Sequence, residues 1–159
     1  MISDDDRTNP VGLFNFARSY WQSAVRLHHT KVRVTHPDAP VTLLLAHAFE
    51  LYLKSFLRLQ GLGVKEVKTN FGHDFRKLLE EAEGRGLHFD DKDKQVAEIL
   101  GEQESIRGSR YIETGFFRRP SLRALSASCR GLGESISVAL TAAGHQVRVK
   151  DLDHIQTDD

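Results

Sequence analysis

The sequence predicts an all-α fold in which four to five helices pack as an up-and-down bundle. Apolar residues recur at helical spacing along most of the 159 residues. Proline and glycine separate these stretches, and no stretch alternates strongly enough to predict a sheet. Hydrophobic residues make up 40% of the chain and charged residues 28%, which is typical of one globular domain of this length.

The first helix is predicted from Pro10 to about Arg33. Asn9 is a favourable N-cap, and a proline at the first helical position loses no hydrogen bond. Residues 1–9 before it are rich in aspartate, and we expect a disordered leader. Two prolines within residues 35–40 are expected to break the chain before the next helix.

The second helix is predicted from about Val41 to Gln60 and ends at the glycines of residues 61–63. It is apolar on nearly every side, which is typical of a helix covered by neighbours all round. We therefore expect it at the centre of the bundle. Residues 64–71 after it are polar and are predicted to form a loop.

Three further helices complete the predicted bundle. Asp74 is expected to cap the third helix, which stops at residues 84–86. The fourth helix has few apolar positions and should lie on the surface. The fourth runs from about Asp91 to Glu104 and the last from about Pro120 to Ala143, with residues 105–119 irregular between them. The single domain is thus predicted over residues 10–144, and residues 145–159 form a tail that docks or adds a short edge strand.

Charge and cysteine content restrict the classes of function. The formal net charge is zero, so binding to a polyanion would require a local basic patch. Cys129 is the only cysteine, which excludes an intramolecular disulfide and argues against a cysteine-based zinc site. The acidic N-terminus lacks a signal-peptide pattern and no apolar run approaches the ~20 residues of a membrane span. We therefore expect a cytoplasmic protein without membrane contact.

A polar stripe follows one face of the second helix. His47, Glu50, Lys54 and Arg58 are spaced by three, four and four residues. Three interpretations are open: the stripe is the helix's solvent-facing edge, it is a structural polar network inside the bundle or at a dimer interface, or it is a working site. His73 and Asp74 favour the latter two, because a short loop returns them toward this helix. The spacing matches no metal motif, and we predict neither a metal nor a cofactor.

A segment rich in arginine and aromatic residues precedes the last helix. Arg107 and Arg110 are placed either to pair with Glu50 or Glu113 and pin the loop, or to bind phosphate next to aromatic residues that stack bases. Three later arginines are expected to be exposed and to form a small basic patch: Arg118, Arg119 and Arg123.

Three segments in this order resemble the HEPN superfamily: His47–Leu57, Gly72–Leu79 and Arg110–Tyr111. The resemblance covers about residues 14–140. It implies a bundle of four or five helices, often a homodimer, in prokaryotic nucleotide, stress or defence systems. Active members of this superfamily are metal-independent endoribonucleases, whose arginine and histidine, separated by four to six residues, lie near a dimer cleft.

The chain departs from that ribonuclease signature. No histidine follows the arginines of residues 107–123 at the required distance. The one pair with this spacing, Arg148 and His154, lies in the tail, and a chain with this many arginines and histidines is expected to contain such a pair by chance. We therefore predict a dimeric, non-catalytic HEPN-like module that contacts RNA, a nucleotide or protein in a stress, defence or toxin–antitoxin-type system. Its predicted polar cluster contains His47, Glu50, Lys54, His73, Asp74, Arg107, Arg110 and Tyr111.

Two alternatives remain. The first is a metal-independent endoribonuclease in which Arg110 binds phosphate and His47 or His73 is the general acid or base. The second is a structural partner subunit of a nucleotidyltransferase encoded nearby.

Overall fold

A computed structural model describes residues 3–30, 32–102 and 118–147. No strand occurs in these ranges, so the predicted all-α class is confirmed there. The seven helices in these ranges are α1 (Asp4–Arg7), α2 (Pro10–His29), α3 (Asp38–Leu59), α4 (Val64–Asn70), α5 (Phe75–Gly84), α6 (Asp91–Glu102) and α7 (Leu122–Ala142).

Helix α3 lies at the centre, as its sequence predicts. It packs against α2, α4, α5 and α7. Leu45, Phe49, Leu53 and Leu57 are fully buried along it. Burial of each such side chain stabilises the fold by roughly 1.5–3 kcal/mol relative to exposure, so α3 provides much of the core's stability.

Helices α2 and α7 contact each other and α3 through a few large side chains. The Phe14 and Tyr52 rings meet edge to face with centroids 5.6 Å apart, and Trp21 Nε1 donates to Ser126 Oγ over 3.1 Å. A Cβ atom at Gly133 would lie 3.0 Å from the Tyr52 hydroxyl oxygen. A side chain at this position would therefore press on the buried Tyr52 ring, so the close approach of α3 and α7 here favours glycine.

Side-chain caps set several helix starts where the sequence predicts them. Asn9 Oδ1 accepts from the Gly12 amide over 2.7 Å, and Asp74 Oδ1 accepts from the Lys77 amide over 3.1 Å. Both contacts satisfy amides that have no partner within the helix.

Other boundaries differ from the prediction. Helix α2 ends at His29, before Arg33, and α3 begins at Asp38 rather than Val41. Pro40 lies in the first turn of α3, where a missing amide hydrogen costs nothing, so this proline does not break the helix.

Two segments predicted to be irregular contain helix. Within the expected leader, Asp4–Arg7 form one helical turn capped by Ser3. The expected polar loop 64–71 contains α4, whose first amide, that of Val64, donates to Asp5 Oδ1 over 2.6 Å. Each segment is stabilised by contacts with a remote part of the chain.

None of the helices in the described ranges combines the length and the apolarity needed to cross a membrane. Most of the predicted irregular segment 105–119 and most of the predicted tail 145–159 lie outside these ranges.

Candidate functional site

The carboxylate of Glu50 is buried in the middle of α3. The residue is 1% exposed, although the carboxylate is an ionisable group. Lys54, one turn later, brings its Nζ to 2.5 Å from Glu50 Oε1, and the Lys54 side chain is 16% exposed. Since burying an unpaired carboxylate costs several kcal/mol, this pairing is a condition for the burial of Glu50.

His73 reaches the same carboxylate from the connection between α4 and α5. Its Nδ1 lies 2.9 Å from Glu50 Oε1. A carboxylate only accepts hydrogen bonds, so Nδ1 carries the hydrogen and donates it. Gly72, at φ +53°, turns the chain immediately before His73, and Asp74 caps α5 immediately after it. The turn and the cap thus hold the imidazole over α3.

The His73 side chain is 77% exposed although its Nδ1 is bound to a buried group. The Glu50 carboxylate therefore fixes one ring nitrogen while the remainder of the ring meets solvent. In the neutral ring this arrangement favours the tautomer with its hydrogen on Nδ1, which leaves Nε2 as a hydrogen-bond acceptor.

Only one oxygen of Glu50 is used in these contacts. Oε1 accepts from both Lys54 and His73, whereas Oε2 is buried and has no hydrogen-bond partner among the residues that the structure describes.

The two ends of the predicted stripe lie in different surroundings. His47 is partly buried, and its ring meets Tyr20 of α2 edge to face with centroids 4.4 Å apart. Arg58 binds the N-terminal segment, donating to the Thr8 carbonyl over 3.1 Å and the Asp5 carbonyl over 3.0 Å. The burial of Glu50 excludes the interpretation that the whole stripe faces solvent.

The predicted cluster is thus brought together in part. Lys54 and His73 both contact Glu50, and Asp74, the residue after His73, caps α5. The predicted members Arg107, Arg110 and Tyr111 lie outside the described residues, so their contact with Glu50 stays a prediction.

The described part of the chain contains no group of three or more histidine, cysteine, aspartate or glutamate side chains arranged to hold a metal ion. Of the three arginines expected to form a basic patch, Arg118 lies 3.7 Å from a carboxylate oxygen of Glu102. This ion pair offsets part of the positive charge expected there.

Sequence reasoning missed two clefts. One, of about 350 Å³, lies between α2 and α7 and is bordered by Trp21, Arg123 and Arg130, with Arg130 Nε bound to Glu134 over 3.0 Å. The other, of about 160 Å³, lies beneath the connection from α2 to α3. The run of basic residues in this connection was a sequence signal for a surface site.

Comparison with known proteins identifies no relative: no protein-family model, no curated protein and no solved structure matches this chain.

Proposed function

We propose that this chain is a HEPN-like helical module that forms a homodimer and acts through contacts with RNA or protein in a prokaryotic stress, defence or toxin–antitoxin-type system. The hydrogen bond from His73 to Glu50 is the observation that supports this most. It joins two of the three segments on which the resemblance rests, over 2.9 Å.

A non-catalytic role agrees with the chemistry of the cluster. Lys54 already offsets the charge of Glu50, and His73 ties the start of α5 to α3. Such a network stabilises one arrangement of the helices. The chain also lacks the arginine–histidine spacing of active HEPN ribonucleases in residues 107–123.

Sedimentation and RNA binding of the full chain test this proposal together. We expect a dimer at micromolar concentration, and retention of either RNA or a co-purifying protein. A monomer that binds no RNA and co-purifies with no protein from its native cell would refute the proposal.

The second candidate is a metal-independent endoribonuclease, and the exposed, carboxylate-bound His73 specifically favours it. In this proposal His73 Nε2 takes the proton from a ribose 2′-hydroxyl. The 2′-oxygen then forms a bond to phosphorus, and the 5′-oxygen leaves with a proton from a general acid. Arg110 would bind the phosphate charge.

RNA cleavage in the presence of a metal chelator tests the second candidate. His73→Ala should lower the rate by about 100-fold or more, since a general acid–base group contributes roughly 10²–10⁴. His88→Ala is the matched control, because His88 is also exposed and lies outside the cluster. Cleavage that survives both His47→Ala and His73→Ala unchanged would remove this candidate.

A further inference from the structure

The connection between α2 and α3 carries a concentration of positive charge. Residues 26–36, hereafter the basic turn, contain no aspartate or glutamate in a chain whose net charge is zero. Their formal charge is +3 from Arg26, Lys31 and Arg33, and three histidines add to it when protonated: His28, His29 and His36. This is a local patch of the kind that binding to a polyanion requires.

The arginines of the basic turn face solvent. Arg26 and Arg33 are exposed, and no carboxylate in the described ranges pairs with either of them. Basic residues in the last turn of a helix interact favourably with its dipole, which accounts for Arg26 without any ligand. That explanation does not extend to Arg33 and His36, which lie beyond the end of α2 and are also exposed.

A cleft of about 160 Å³ opens beside these charges. Its walls include Leu27, His28, Val32, Val34 and Pro37, and one acidic residue, Asp38, also borders it. Val32 and Val34 are 45% and 54% exposed, unlike most large apolar residues of the described chain. The cleft is small and mostly apolar, so it suits a single flat or apolar group rather than the row of side chains of an amphipathic peptide.

We propose that the basic turn binds single-stranded RNA, with Arg26 and Arg33 on the phosphate backbone and one unstacked base in the cleft beside His28. This rests on the RNA contact in the proposed function and names the surface that makes it. Single-stranded RNA is recognised by this combination, because its bases splay outward and stack on imidazole or guanidinium planes. An acidic peptide is the other polyanion that these charges could attract, and it is one outcome of the test below.

Fluorescence anisotropy of a short single-stranded RNA, measured against salt concentration, tests the proposal. Each phosphate contact on a single strand contributes about 0.7 to the logarithmic salt slope, or about fivefold in affinity at about 0.1 M salt. The double variant Arg26→Ala/Arg33→Ala should therefore bind about 25-fold more weakly, with a slope shallower by about 1.4.

The matched control is Lys65→Ala/Lys68→Ala. It removes the same charge from two exposed positions of α4, beyond the opposite end of α3, a helix of 22 residues and so about 33 Å long. We expect this variant to retain nearly all of the affinity. Circular dichroism verifies that both double variants keep their helices.

Three outcomes would overturn the proposal, and they are distinguishable. If RNA binds but both double variants weaken it equally, the basic turn is not the contact, although the proposed RNA function survives. If the unaltered chain binds no RNA at low salt, the RNA part of the proposed function fails as well. If polyglutamate binds as tightly as RNA and with the same arginine dependence, the surface serves an acidic protein.

Discussion

At the scale of single residues, Glu50 determines the character of the site. Its carboxylate must lose hydration on folding, and one buried oxygen receives both compensating donors. The cost of such a buried ion is recovered only if its partners stay in place. Lys54 and His73 are therefore coupled: a change at either one alters the surroundings of the other.

Glu50→Ala should destabilise the protein by ~2–4 kcal/mol, because it leaves Lys54, which is only 16% exposed, without its anion. Urea unfolding measures the change. Glu81→Ala in α5 is the matched control. Glu81 also pairs with a residue four positions later, Arg85, but both side chains are about one-third exposed, and a loss under ~1 kcal/mol is expected. Equal losses in the two variants would contradict the structural role of Glu50.

The sequence predicted part of this site. The spacing of Glu50 and Lys54 on one helical face is a local property, and the short loop to His73 limits where its imidazole can lie. The contacts of His47 with Tyr20 and of Arg58 with the N-terminal segment depend on how remote segments pack. No pattern within α3 specifies them.

At the scale of elements, helix boundaries set by local residues are predicted correctly, whereas those set by remote contacts are not. Asn9 and Asp74 cap helices with their own side chains, and the sequence identifies both. Helix α4 has only seven residues, too few for a stable isolated helix. Its first amide donates to Asp5, 59 positions earlier, and this contact cannot be recognised from the neighbouring residues. The local sequence alone therefore predicts a loop.

Arg58 links the N-terminal segment to the end of α3, and its removal should release that segment. Its guanidinium donates to the carbonyls of Asp5, Thr8 and Leu62, and its side chain is only 10% exposed. In Arg58→Ala we expect faster amide hydrogen exchange in residues 3–9 and in α4, because α4 depends on Asp5 for its first hydrogen bond.

In the same experiment, Arg58→Lys distinguishes the effect of the positive charge at position 58 from that of the guanidinium's hydrogen-bond geometry. Lysine keeps the charge but lacks the planar fork that donates in several directions, so we expect it to restore little of the protection. Arg85→Ala is the control, since Arg85 directly follows α5 and contacts Glu81 of that helix. Unchanged exchange of residues 3–9 in Arg58→Ala would show that another contact holds this segment.

At the scale of the whole molecule, α3 organises both packing and charge. Its sequence, apolar on nearly every side, predicted the central position, because such a helix is normally covered by neighbours all round. Although the net charge is zero, the charges are unevenly distributed along the chain. The basic turn precedes α3. The three consecutive aspartates of α1 lie near the other end of α3, where Asp5 contacts Arg58. Summing charge over the chain hides such a separation, and only the order of residues reveals it.

Two buried titratable groups in the core, the Cys129 thiol and the Tyr52 hydroxyl, make the protein's stability depend on pH in the alkaline range. Burial raises the pKa of the Cys129 thiol above its ordinary 9.0, and burial likewise raises the pKa of the Tyr52 hydroxyl above 10.0. In the unfolded chain both groups have their ordinary pKa values. As pH rises, the unfolded state therefore loses these protons before the folded state does. Stability is therefore retained below about pH 9 and falls as pH rises beyond it. For Cys129 the loss reaches about 2 kcal/mol by about pH 10.5.

Urea unfolding at a series of pH values from neutral to alkaline tests this expectation, with Cys129→Ala as the informative variant. Removal of the thiol should lower stability at neutral pH but flatten the alkaline decline, because one buried group that resists ionisation is gone. Ile136→Val, at a fully buried position of the same helix, removes a methyl group without removing a titrating group and should retain the full decline. The same alkaline slope in Cys129→Ala and Ile136→Val would show that ionisation of this thiol is not linked to folding.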